Sequence, residues 1–71
     1  MNTTDLATVA QTAAANLNIT EAVAESAAET YLAQMEAIDG RTIDPDEISE
    51  DDAAFLAAAI TSAYAAGDLG R

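Results

Sequence analysis

The sequence contains no cysteine, no histidine, no tryptophan and no lysine. Each absence closes off a class of chemistry. Without cysteine there is no disulfide to staple the fold and no thiolate to act as nucleophile or metal ligand. Without histidine, most zinc, haem and copper sites are excluded, and so is the commonest general base. The two basic residues, Arg41 and Arg71, stand against 13 acidic ones, for a formal net charge of −11. Two arginines make no specific phosphate clamp, and a surface of this sign repels nucleic acid and anionic membrane. Three glycines are too few for a phosphate-binding loop. No alternating β-branched run or hairpin turn signal marks a strand.

Long apolar runs are also missing. No uncharged stretch exceeds fifteen residues, and 53–67, which has that length, is dominated by alanine. It is too short and too weakly apolar to span a bilayer. The opening MNTTDLATVAQT has neither a basic n-region nor a leucine-rich core. The expectation is therefore a cytoplasmic protein with no secretory leader and no membrane contact.

What is present is helix-forming. Hydrophobic residues make up 51% of the chain, too many for a disordered composition. Alanine contributes 19 of the 71 residues; it is the strongest helix former and lets helices approach closely. A chain of this length forms a single domain, 1–71, with a small core. It needs very regular helix packing, or oligomerisation, to be stable without a disulfide or metal.

The periodicity predicts an all-α three-helix bundle, with helices at about 5–16, 21–39 and 50–66. Thr4 or Thr3 is the expected cap of the first helix. Leu6, Val9, Ala10, Ala13 and Leu17 form its apolar stripe, and the asparagines of 16–18 end it. In the second helix Thr20 is the expected cap and Ile19 a hydrophobic staple. Its inner face is Ala24, Ala27, Ala28, Tyr31, Met35 and Ile38, with Leu32 at the edge and Gly40 as the stop. Pro45 allows one short helical turn at 45–48, with Ile43 and Ile48 pinning the loop to the core. Ser49 caps the third helix, whose stripe is Ala53, Leu56, Ala57, Ile60, Ala63 and Tyr64. Gly67 ends that helix, and 68–71 is expected as a loose tail. Tyr31 and Tyr64 are read as core residues with their hydroxyls at the rim.

The acids fall into two groups. The segment 44–52 reads DPDEISEDD, six acids in nine residues. Glu50, Asp51 and Asp52 occupy the first turn of the third helix, where carboxylates meet unpaired N–H groups and the positive end of the helix dipole. Asp44, Asp46 and Glu47 precede it. Helix starting explains much of this cluster, though not the absence of balancing cations. In the second group Glu21, Glu25, Glu29 and Glu36 share an arc of about 80° on the second helix. That stripe runs beside the apolar face, as one edge of a docking surface for a basic partner would. The alternative is a solvated face in a chain that is acidic throughout.

The third helix carries no charge over 53–67. Its outward side, Ala54, Ala58, Thr61, Ser62 and Ala65, is small and uncharged, which suggests contact with a second copy or a partner. Phe55 lies off the core stripe. It either covers the Ile43–Ile48 loop or stands exposed as a binding anchor.

Several functional templates fail. Asp39 to Glu50 spans twelve residues as an EF-hand loop does. However, its third position is Arg41, its fifth is Ile43, and its glycine comes second. Ser49 lies in Ile48-Ser49-Glu50, not in the Asp-Ser-Leu context of an acyl carrier. A DNA-reading helix-turn-helix needs basic residues that the third helix lacks. No catalytic, cofactor or metal residue is assigned.

The expected function is a non-enzymatic interaction module, regulatory or inhibitory, docking on a basic partner surface, in its strongest form as a DNA mimic of phage or mobile-element type. Its candidate residues are Glu21, Glu25, Glu29, Glu36, Asp44, Asp46, Glu47, Glu50 and Asp51, with Phe55, Ala58 and Ser62 as apolar contacts. One alternative is a salt-adapted (halophilic) helical module, a possible homodimer, whose charge has no specific partner. The other is a weak carboxylate-based divalent-metal binder.

Overall fold

A computed structural model describes residues 2–69. The element order is β1 (Thr3–Thr4), α1 (Leu6–Leu17), α2 (Glu21–Asp39), β2 (Ile48–Ser49) and α3 (Glu50–Ala65). The three helices form the expected bundle. Its 30 Å long dimension matches the roughly 28 Å length of a 19-residue helix such as α2.

Each helix begins on the same device, a side-chain oxygen accepting the backbone N–H three residues on. Asp5 Oδ1 accepts from Thr8 at 2.7 Å, Thr20 Oγ1 from Val23 at 3.2 Å and Ser49 Oγ from Asp52 at 3.2 Å. This satisfies one of the otherwise unpaired N–H groups of the first turn. The first cap is Asp5, not Thr4 or Thr3 as expected, because those threonines are drawn into the extended strand β1. Each helix also ends on a left-handed residue: Asn18 at φ 56°, Gly40 at φ 65° and Gly67 at φ 79°. The following N–H turns back across the helix end, from Ile19 to Ala14 O, Arg41 to Glu36 O and Asp68 to Ala63 O. Helix punctuation in this chain is therefore local.

Two packed clusters fill the bundle. At one end Ala10, Ala13 and Ala14 of α1 meet Ala24, Ala27 and Ala28 of α2 and Ile60 of α3. At the other, Val9, Leu32, Met35 and Leu56 meet Ile43 and Ile48 from the connection between α2 and α3. Late residues of α1 thus pair with early residues of α2, and early residues of α3 with late residues of α2. So α2 runs antiparallel to both its neighbours. Ile48, Leu56 and Ile60 are the largest fully buried side chains.

Four features depart from the sequence reading. First, a two-residue sheet exists, with Thr3 opposite Ser49 and Thr4 opposite Ile48, antiparallel. The Leu6 N–H continues it by donating to Pro45 O at 2.8 Å. Two residues per strand are too few to show an alternating pattern. Second, 45–48 is not a helical turn. Asp44 O accepts from Glu47 N–H at 3.1 Å, and Asp44 Oδ1 from Asp46 N–H at 2.9 Å, an Asx-stabilised β-turn that leads directly into β2.

Third, three expected core residues, Ile38, Ala57 and Tyr64, lie outside. Tyr64 is 44% exposed, because i, i+4, i+8 spacing rotates about 40° per step and carries position 64 away from Leu56. Ala63, on the other side of the stripe, is buried instead, and Ala57 is exposed. Ile38 is 79% exposed although its helical phase faces inward. It sits in the last turn of α2, where the connection folds over Met35 and leaves Ile38 uncovered. Leu32, expected at the edge, is buried. Fourth, the expected loose tail is held at its start. Asp68 N–H bonds to Ala63 O, and Leu69 packs on the α1–α2 cluster. Positions 70 and 71 lie outside the described residues.

Candidate protein-interaction surface

The twelve expected contact residues do not form one surface. Glu21, Glu25 and Glu29 are exposed in a row on the early half of α2. Glu36, expected to extend that row, is half-buried and turned to internal use. Its Oε2 accepts the Ile43 N–H at 2.9 Å, and its backbone carbonyl accepts from Gly40 at 2.9 Å and Arg41 at 3.3 Å. It organises the chain as it leaves α2. Asp44, Asp46 and Glu47 are exposed around the β-turn, and Glu50 and Asp51 on the first turn of α3. Phe55, Ala58 and Ser62 are exposed on α3. Helical phase puts them on one face with Asp51.

Arg41 is the single basic side chain among the described residues, and it is committed. Its Nη2 lies 2.8 Å from Asp52 Oδ1 and its Nε 3.3 Å from Asp39 Oδ2. It therefore ties the end of α2 to the start of α3. The hydrogen bond from Arg41 holds the Asp52 carboxyl below its ordinary value against the opposing effect of desolvation, with help from Ser49. The Asp52 and Asp39 bonds in turn raise Arg41. Hydrogen bonding from Thr8, side chain and backbone, holds Asp5 low at the start of α1. No described side chain is charged and buried, and none leaves a buried polar atom unpaired. Among the described residues no cluster of acids is arranged to hold a metal ion, and no helix is long and apolar enough to cross a membrane.

Among the described residues the large exposed apolar side chains are Ile38, Phe55 and Tyr64. Ile38 and Phe55 come together. With Met35 they line a groove of about 340 Å³ between the end of α2 and the start of α3, bordered by Asp39, Asp51 and Asp52. Sequence reasoning had Phe55 as a candidate but placed Ile38 in the core; Met35, placed there too, is buried as expected and presents only its edge to the groove. One signal was available: Ile38 is the last apolar residue before the Asp39-Gly40 stop, where a helix face runs past its neighbours. A second groove, between α1 and α3, is lined by Thr8, Thr12, Asn16, Ala54, Ala57 and Thr61 among others and carries no charge.

No known protein family, no curated protein and no solved structure matches this chain.

Proposed function

We propose that this chain is a small non-enzymatic interaction module, regulatory or inhibitory, that docks on a basic surface of a partner protein. The observation that carries this reading is the imbalance of its exposed charge. Among the described residues the ion pairs are the two made by Arg41, with Asp39 and Asp52. Glu21, Glu25, Glu29, Asp44, Asp46, Glu47, Glu50 and Asp51 face solvent, and none is paired with a cation among the described residues. Such a field speeds encounter with a positively charged partner and rejects polyanions. In its strongest form the reading is a DNA mimic, with the α2 row and the 44–52 carboxylates standing where phosphates would.

The test is capture of partners on the immobilised chain at low salt, elution by rising KCl, and titration of each purified partner against the chain. A specific basic partner should bind with an affinity that falls steeply with salt. Replacing Glu21, Glu25 and Glu29 by glutamine should slow association. A chain that retains no basic protein, or one whose complexes ignore salt, overturns the proposal. If the chain folds only near molar KCl, the salt-adapted reading replaces it.

A further inference from the structure

We infer that the groove between α2 and α3 is the anchoring site, and that its occupant is a basic amphipathic segment of the partner. This rests on the function proposed above and names where and how docking occurs. The segment seats a large apolar side chain against Met35, Ile38 and Phe55, while flanking lysines or arginines meet Asp51 and its neighbours.

Ile38 is 79% exposed and Phe55 57%. A chain with so few large apolar residues leaves these two side by side at the surface. Removing large apolar side chains from water drives association, and here two of the large exposed apolar side chains among the described residues line one groove. Aromatic and large aliphatic side chains in a groove with a polar rim are the usual centres of binding energy.

Charge decides the occupant. The rim holds Asp39, Asp51 and Asp52, with Arg41 bonded to the first and last. Three negative charges against one positive leave the rim at −2. A second copy would bring its own rim of −2 against this one, on chains of −11 each. Self-docking at this groove is therefore opposed, whereas a segment with positive charges around an apolar residue matches it. Arg41 also fixes Asp52, so Asp51 is the rim carboxylate with no cation bonded to it among the described residues.

The Glu21–Glu25–Glu29 row plays a separate part. By helical phase Glu25 lies about 140° around α2 from Ile38. It lies off the groove and acts on approach, through long-range attraction, rather than on the seated side chain.

The experiment uses two labelled peptides of equal length and charge, one an amphipathic helix of leucine and lysine, the other of serine and lysine. Their binding to the intact chain is followed by fluorescence anisotropy. The leucine peptide should bind more tightly. Phe55→Ala and Ile38→Ala should each weaken it by at least about fivefold, the factor set by a 1 kcal/mol anchor, and leave the serine peptide unchanged. Asp51→Asn should weaken both. Both apolar variants remove exposed side chains, so both should fold with the parent's helicity and melt within a few degrees of it. If Phe55→Ala and Ile38→Ala bind the leucine peptide as the parent does, the groove is not the anchor. The proposed function still stands in that case if binding falls with salt and with glutamine at 21, 25 and 29. Sedimentation showing a dimer that Phe55→Ala dissolves also overturns the inference, in favour of a second copy as occupant.

Discussion

Phe55 and Leu56 are adjacent in sequence and opposite in fate, and replacing each by alanine separates burial from composition. Leu56 is fully buried among Val9, Leu32, Met35, Ile43 and Ile48. Of the fourteen buried apolar residues among those described, seven are alanine, so the large side chains are few and each matters. Truncating a buried leucine costs about 2–5 kcal/mol, the upper end where the surroundings cannot relax into the cavity. The site is bounded by helix–helix contacts and by a connection tied through Glu36 and Pro45, which favours the upper half. A 71-residue domain has a total stability of about 4–10 kcal/mol, so Leu56→Ala should remove about half or more. At roughly 4–8 °C per kcal/mol, its melting point should fall by 15 °C or more. Phe55→Ala should change stability by about 0.5 kcal/mol, as surface substitutions do. The assay is urea unfolding followed by circular dichroism, in salt high enough to screen self-repulsion. If Leu56→Ala costs under about 1 kcal/mol, or Phe55→Ala costs as much, the packing argument is wrong.

Gly40→Ala should cost about 1 kcal/mol, because the backbone there is left-handed at φ 65° while a Cβ would meet nothing within 4 Å. Gly40→Asn should cost less, and melting curves of the two variants check the order. Ser49→Ala removes the acceptor for the Asp52 N–H and should cost about 1 kcal/mol in urea unfolding, chiefly by weakening the start of α3. Acid titration should expose the Arg41 tie. Asp5 and Asp52 are held below their ordinary value of 3.8, so their contributions are complete above that pH and are lost as pH falls below it. Unfolding midpoints measured in high salt should decline below about pH 4, and the decline should be shallower in Arg41→Gln, where Asp52 has lost its partner. Without high salt, melting points at neutral pH should rise with added KCl, as screening shortens the reach of charge to about 10 Å at 0.1 M.

The sequence determined the helices, because what starts and stops a helix lies within a few residues of its ends. Thr20 and Gly40 bound α2 where read, and Ser49 starts α3. The inward phase of Ala24, Ala27, Ala28, Leu56 and Ile60 was equally legible, since a 3.6-residue period fixes which side chains share a face. The net charge of −11 is also a property of composition. Tertiary structure decided what happens where elements meet. The pairing of Thr3–Thr4 with Ile48–Ser49 joins residues more than forty positions apart, and no local pattern records it. Glu36 has the phase of a solvent-facing stripe, yet it bonds the Ile43 N–H because the chain folds back over the end of α2. Ile38 has the phase of a core residue, yet it lies open because its neighbours end short of it. Helical phase gives direction around an axis; only packing gives the position along it, and the Ile38–Phe55 groove exists because of that second coordinate.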